Sequence, residues 1–184
     1  MKKITLYRFA TVCSLPLLIY GIIQIKIYGV VFSGFIRPLL MVIFAFMVII
    51  LPKYRFKLIA IPIILNIAWI LYEVISAVPL YANYDLITLL AFLAGNLPQL
   101  LLLIMVALSF LDIIKNRKIN MILLILSFVL YTLLVLISFL DNFNNDSFTA
   151  VVLLSIYYLP NILSGITALL FVKAENYKSK PIKK

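Results

Sequence analysis

The sequence predicts an all-α integral membrane protein, a single bundle of six transmembrane helices with both termini in the cytoplasm. Three observations carry that expectation: scarce charge, the length of the apolar runs and the placement of the basic residues. Of 184 residues, 66% are apolar and only 12% are charged, about half the charged share of a soluble domain. Mean hydropathy is +1.21. Water does not solvate such a surface, so the solvent must be lipid. The links between apolar runs are too short to hold a second domain, so residues 1–184 form one unit, with a basic tail over 173–184.

Six runs approach or exceed the roughly 20 residues that span a bilayer. A chain in lipid must satisfy its own backbone hydrogen bonds, which makes each run a helix. None shows the alternating polarity of an outer-membrane strand.

The first run is Leu6–Ile25, inside "MKKITLYRFATVCSLPLLIYGIIQ". Its basic start and apolar centre look like a secretory signal, but it lacks a small-x-small cleavage site and further runs follow, so it reads as an uncleaved span. Cys13 does not fit a lipoprotein acceptor, because Val12 is bulky where a small residue is needed. As the only cysteine it excludes an internal disulfide, and it reads as a small lipid-buried side chain. Pro16, Tyr20 and Gln24 share one face of this helix.

The second run, Val30–Leu51, carries Arg37 and Pro38. The third, Leu58–Val78, sets Asn66, Trp69, Glu73 and Ser76 at helical spacing on one stripe, beside Tyr72. The fourth, Leu86–Leu111, aligns Ala91, Gly95 and Gln99, with Asn96 alongside and Pro98 between the two amides. Pro98 removes a backbone donor and frees the carbonyl near Ala94, which nearby amides are expected to satisfy. The fifth run is Ile119–Leu140. The sixth, Thr149–Val172, has a small and polar stripe of Tyr157, Asn161, Ser164, Gly165 and Ala168.

Orientation follows from the loops. Every lysine and arginine except Lys26 and Arg37 falls at the N-terminus, between runs two and three, between runs four and five, or at and beyond the end of run six. The opposite loops contain the acidic segments "YANYD" and "DNFNNDSF". The positive-inside rule places both termini in the cytoplasm. The net charge of +10 is thereby explained by topology and not by nucleic acid, since no basic stripe alternates with aromatics on a soluble face. Anionic headgroups at the cytoplasmic face are expected partners of the basic tail. The Lys, Ile and Asn content fits an AT-rich genome and a bacterial cytoplasmic membrane.

A faint repeat of three helical hairpins is visible. "LLIYG", "WILYE" and "FVLYT" centre on Tyr20, Tyr72 and Tyr131; "RPLL", "LPQL" and "LPNI" carry Pro38, Pro98 and Pro160.

Chemistry-bearing patterns are few. The chain has no histidine, which removes the commonest proton shuttle and metal ligand. Its serines lack the usual activating base. Glu73 is the only acid inside a run. No phosphate loop, zinc spacing or dinucleotide fingerprint occurs, so no catalytic residue, metal or cofactor is expected. Polar groups at membrane depth are the remaining candidates, because they are costly there and often mark function. Glu73, Arg37 and Asn96 each lie about 24 Å from the basic edge at 1.5 Å per residue, with Gln99 and Asn161 about 18–20 Å from it. The sequence therefore predicts one polar layer between helices, with Glu73 as charged determinant and Arg37 as its counter-ion. Asn96, Gln99 and Asn161 would line it, and Asn66 and Tyr72 lie beside Glu73 on the same helix. Such a layer suits small-molecule transport or membrane-embedded ligand binding. The alternative is a non-enzymatic interaction protein, an immunity factor or assembly partner, in which the polar groups only pack helices and a second membrane protein is the partner. A lipid-modifying enzyme ranks third.

Three partial resemblances accompany this reading. "NLPQ" resembles the proline-glutamine motif of the PQ-loop transporters, whose three-helix units differ from a plan of hairpins. "IRPLLM" is similar to the start of a span in the lysoplasmalogenase-like family, but that family's glycine-aspartate pairs are missing. Length, six spans and positive charge are similar to the substrate-binding subunits of vitamin importers, which are richer in glycine than this chain with its five. None of the three transfers a site residue.

Overall fold

The computed structural model describes residues 32–50, 57–82, 86–143 and 148–176, with seven helical positions of the first run: Val12, Leu15, Pro16, Ile19, Ile22, Ile23 and Lys26. Cys13, Tyr20, Gln24, Lys53, Arg55 and the tail lysines from Lys178 onward lie outside the described residues, as do the side chains of Ala91 and Tyr157. Among the described residues all regular structure is helical, with no strand.

The five continuous helices are α1 (Phe32–Ile50), α2 (Ala60–Ala82), α3 (Leu86–Leu111), α4 (Arg117–Phe143) and α5 (Phe148–Asn176). Three stretches are long and apolar enough to cross a membrane: Lys57–Pro79, Leu86–Leu111 and Arg117–Leu140. Ile36–Ile50 and Tyr158–Ala174 are shorter apolar helical stretches within α1 and α5. Large apolar side chains are exposed on every helix from α1 to α4, including Ile43, Phe46, Ile75, Ile87, Ile122 and Ile137. A water-facing surface rarely tolerates this, whereas acyl chains match it.

Local sequence accounts for the sharp stop between α3 and α4. Asp112 sits in the left-handed region at φ 56°, and the Ile113 amide turns back to donate to Leu108 O at 3.3 Å. That is the backward hydrogen bond of a helix C-terminal cap. Asn116 then opens α4: its Oδ1 accepts from the amides of Lys118 at 3.1 Å and Ile119 at 3.3 Å, as an N-cap amide does.

α3 is the hub, packing on α2, α4 and α5; α1 packs on α2, and α4 on α5. An aromatic chain ties three of these together. Phe110 of α3 meets Phe44 of α1 edge-on with ring centres 5.8 Å apart, and Phe171 of α5 at 5.2 Å. α4 turns Asn120, Leu124, Ser127, Tyr131 and Val135 inward, a seam at steps of three and four that follows directly from helical periodicity.

The burial is lopsided. In α2 the buried positions end at Ile70, in α4 at Val135, and in α3 they begin only at Gln99. Among the described side chains, which start at Ile36 in α1 and at Tyr158 in α5, the first buried ones are Pro38 and Pro160. All of them lie towards the end that carries Lys57, Lys115, Arg117, Lys118 and Lys173, here termed the basic end. Small residues such as Ala45, Ala60, Ala107, Ser127, Ser164 and Ala168 let the backbones close up there. Towards the opposite end, no side chain described in 71–79, 86–98 or 136–140 is buried.

Two of the tyrosines on which the sequence repeat centres pack differently. Tyr131 is fully buried, whereas Tyr72 is 61% exposed.

Candidate functional site

An ion pair stands at the level where the buried positions of α2 and α3 give out. Arg37 comes from the first turns of α1, just before Pro38, and Glu73 from the second half of α2. Arg37 Nη1 donates to Glu73 Oε2 at 3.4 Å. The other carboxylate oxygen, Oε1, accepts from Trp69 Nε1 at 2.8 Å. Trp69 and Glu73 are four apart on α2, so they stand on the same face one turn apart. Trp69 also packs its ring against Tyr72, with centres 5.4 Å apart.

The pair is only partly covered, with side-chain exposures of 17% for Arg37 and 34% for Glu73. Ion pairs at membrane depth face protein or a polar cavity, because acyl chains solvate neither charge. The neighbouring helix leaves room at this level. Glu73 lies nine residues before the end of α2, and Gly95 nine residues after the start of α3. The two helices pack as a hairpin, which brings those positions to similar height. A β-carbon added at Gly95 would meet nothing within 4 Å.

The remaining predicted residues separate into two groups. Asn66 and Gln99 are buried and each leaves a polar atom without a partner, Asn66 Oδ1 and Gln99 Nε2. Asn66 is one turn below Trp69 on the same stripe of α2. Asn96 and Asn161 are engaged elsewhere. Asn96 Nδ2 donates to Phe92 O of its own helix at 2.9 Å, not to the Ala94 carbonyl that Pro98 frees. Asn161 Nδ2 donates to the Tyr131 hydroxyl at 3.0 Å, and the Tyr131 and Tyr158 rings meet edge-on at 6.2 Å. Asn161 therefore clamps α5 to α4. Tyr72 stands on the outer side of Trp69, largely exposed. The contacts thus unite Arg37 with Glu73 and do not bring Asn96 or Asn161 to them.

Trp69 is the side chain of this cluster that the predicted set omits. Its signal was present in the four-residue spacing from Glu73. The hydroxyl groups of Ser76, Ser109, Ser127, Thr132, Ser138, Ser164 and Thr167 each lie within hydrogen-bond reach of a carbonyl three or four residues back. That satisfies them within an apolar medium. Ser109 also reaches Asn120 Oδ1 at 3.0 Å, joining α3 to α4. Among the described residues no cluster of His, Cys, Asp and Glu is suited to a metal ion.

Comparison of the chain with protein-family models, with curated proteins and with solved structures finds no match.

Proposed function

We propose that the chain is a six-span protein of the bacterial cytoplasmic membrane, with both termini inside, that binds a small polar ligand at Arg37, Glu73 and Trp69, as a transporter or a membrane-embedded binding subunit. The basic end then faces the cytoplasm, where Lys57, Lys115, Arg117, Lys118 and Lys173 meet anionic headgroups, and the opposite end faces outward. The observation that supports this reading is the partly exposed Arg37–Glu73 pair at membrane depth. A purely structural ion pair gains most from complete enclosure by hydrogen-bonding partners. This one keeps a third of its carboxylate side chain accessible beside a helix that leaves space at Gly95.

The test is a thermal-shift screen of the purified, full-length protein against small metabolites, since a ligand that favours the folded form raises its melting point. A metabolite that stabilises wild type but not Glu73→Gln supports the reading. Stabilisation that is the same in both proteins refutes it.

A second reading is favoured by Asn161, Asn96 and the hydroxyls, all of which are satisfied inside the bundle. In it the chain is a non-enzymatic interaction protein and its polar residues only hold helices together. It predicts that Glu73→Gln retains activity and that a membrane partner co-purifies. A stable monomer without a partner counts against it.

A further inference from the structure

We propose that bound water occupies the interface of α2 and α3 at the level of Asn66 and Gln99, donating to Asn66 Oδ1 and accepting from Gln99 Nε2. The site is separate from the Arg37–Glu73 pair and does not depend on ligand binding there.

The first observation is burial without partners. Asn66 is 1% exposed and Gln99 3%, and neither Asn66 Oδ1 nor Gln99 Nε2 has a hydrogen-bond partner. A polar group hidden from solvent and left unpaired costs more than a formed bond returns, so such groups in folded proteins are nearly always matched. Their own helices do not supply the match. Asn66 lies six residues into α2, where each backbone N–H is already taken by the carbonyl four residues back, so an acceptor there needs a donor from elsewhere. The residues one turn away on the same faces are Ile63 and Ile70 on α2 and Leu102 and Leu103 on α3, all fully buried and apolar. This sets the two amides apart from Asn96, which donates to Phe92 O, and from Asn161, which donates to the Tyr131 hydroxyl.

The second is placement. Asn66 lies sixteen residues before Ala82, the end of α2, and Gln99 thirteen after Leu86, the start of α3. The two helices pack as a hairpin, so these positions differ in height by about 4–5 Å at 1.5 Å per residue. Two carboxamides span such an offset through an intervening water, each hydrogen bond adding about 3 Å.

The third is complementarity. One of the two atoms accepts and the other donates. A cation would be repelled by the amide hydrogens of Gln99, and an anion by the carbonyl oxygen of Asn66. Water both donates and accepts, and a buried water typically makes two to four hydrogen bonds to groups of this kind. Side chains so deeply enclosed present little surface to a larger guest. Asn66 also stands one turn from Trp69, on the stripe that carries Glu73. Water at Asn66 therefore continues the polar stripe of α2 towards the basic end.

The experiment uses full-length protein in liposomes, labelled with glutamine that carries ¹⁵N at the side-chain amide. The chain has two glutamines, Gln24 and Gln99, and the variants Gln24→Leu and Gln99→Leu assign their resonances. Solid-state NMR reads the transfer of magnetisation from water to each amide, within a mixing time too short for relay through protein hydrogens. The expected result is transfer to Gln99 in wild type, reduced by more than half in Asn66→Leu, which removes one partner of the water. Unfolding midpoints are the second measurement. Asn66→Leu and Gln99→Leu are each expected to lower the midpoint. The double variant leaves neither amide orphaned and is expected to recover more than half of the summed loss.

Absence of transfer to Gln99 in wild type overturns the proposal. Transfer of the same size in Asn66→Leu overturns the shared site, because the water would then belong to Gln99 alone. A direct ¹⁵N–¹³C contact between the Gln99 amide and the Asn66 carboxamide carbon also overturns it, since the two side chains would then bond to each other. Midpoints that rise in both single variants and add in the double variant show two unpartnered amides and no water between them.

Discussion

The Cδ2 atom of Phe128 on α4 stands 2.8 Å from the position that a β-carbon would take at Gly165 on α5, and Leu102 Cδ1 of α3 stands 3.3 Å from it. Three helices thus meet at a point where only glycine fits. Gly95, the glycine of α3, has no such neighbour. Gly165→Val is expected to destabilise the fold by about 1–3 kcal/mol through overpacking. Gly95→Ala is expected to be neutral or to stabilise by up to about 1 kcal/mol through helix propensity. Unfolding in mixed micelles checks both, and equal effects at the two sites would show that the bundle is not tighter at its basic end.

Asp112 holds a left-handed conformation that costs a non-glycine residue roughly 1–2 kcal/mol, less for Asp than for most. It also places a negative charge at the negative end of the α3 dipole. Asp112→Gly is therefore expected to stabilise the protein by about 1 kcal/mol. Asp112→Val, β-branched at the same φ, is expected to destabilise it. If the valine variant matches wild type in the same unfolding assay, the cap does not form as described.

Asn161 and Tyr131 are expected to be coupled. Tyr131→Phe removes the acceptor of the Asn161 amide and leaves the ring in place. Interhelical hydrogen bonds in membranes couple by about 0.6 kcal/mol on average, up to about 1.7. Burial of both groups puts this pair in the upper part of that range. A double-mutant cycle of Tyr131→Phe and Asn161→Leu measures it, and additive effects would mean that the contact does not join α4 to α5 in the membrane.

Helices and their approximate limits were legible in the sequence because lipid imposes a simple rule: a run long enough to cross must be helical. The placement of Leu86–Leu111 illustrates this, matching α3 at both ends. That Arg37 and Glu73 stand at one level was legible as well, since each lies sixteen residues from a basic position and the two are in contact. Rotation was less so. Stripes chosen by polarity put Gly95 and Gln99 on one inward face, yet Gln99 is buried and Gly95 faces open space. Among the described side chains, the buried positions of α2, α3 and α4 lie towards the basic end, which a periodic pattern cannot express. Polarity alone does not reveal that an apolar-looking run, "FVLYT", supplies Asn161 with a hydroxyl partner from the neighbouring helix.

Membrane topology supplies another test. With Cys13 changed to serine, single cysteines replace Lys118, in the first turn of α4, and Asp85, in the acidic segment "YANYD" of the sequence. The positive-inside rule predicts that a membrane-impermeant maleimide labels the Asp85→Cys protein in intact cells and the Lys118→Cys protein only after lysis. Labelling of both in intact cells would contradict six spans with an inner basic end.

The ion pair itself makes the most demanding prediction. Removing one partner from a buried pair leaves an unpaired charge and typically costs about 3–5 kcal/mol. Here Glu73 keeps a third of its side chain accessible, so Arg37→Gln and Glu73→Gln are each expected to cost less, about 2 kcal/mol. Glu73→Gln is the milder of the two, because a glutamine still accepts from Trp69 and Arg37. Arg37→Gln leaves a carboxylate held by the neutral indole N–H of Trp69. The double variant lacks any unpaired charge and is expected to recover more than half of the loss. Strict additivity would show that the two side chains do not interact in the folded protein, and that the carboxylate at the centre of the site has some other counter-ion.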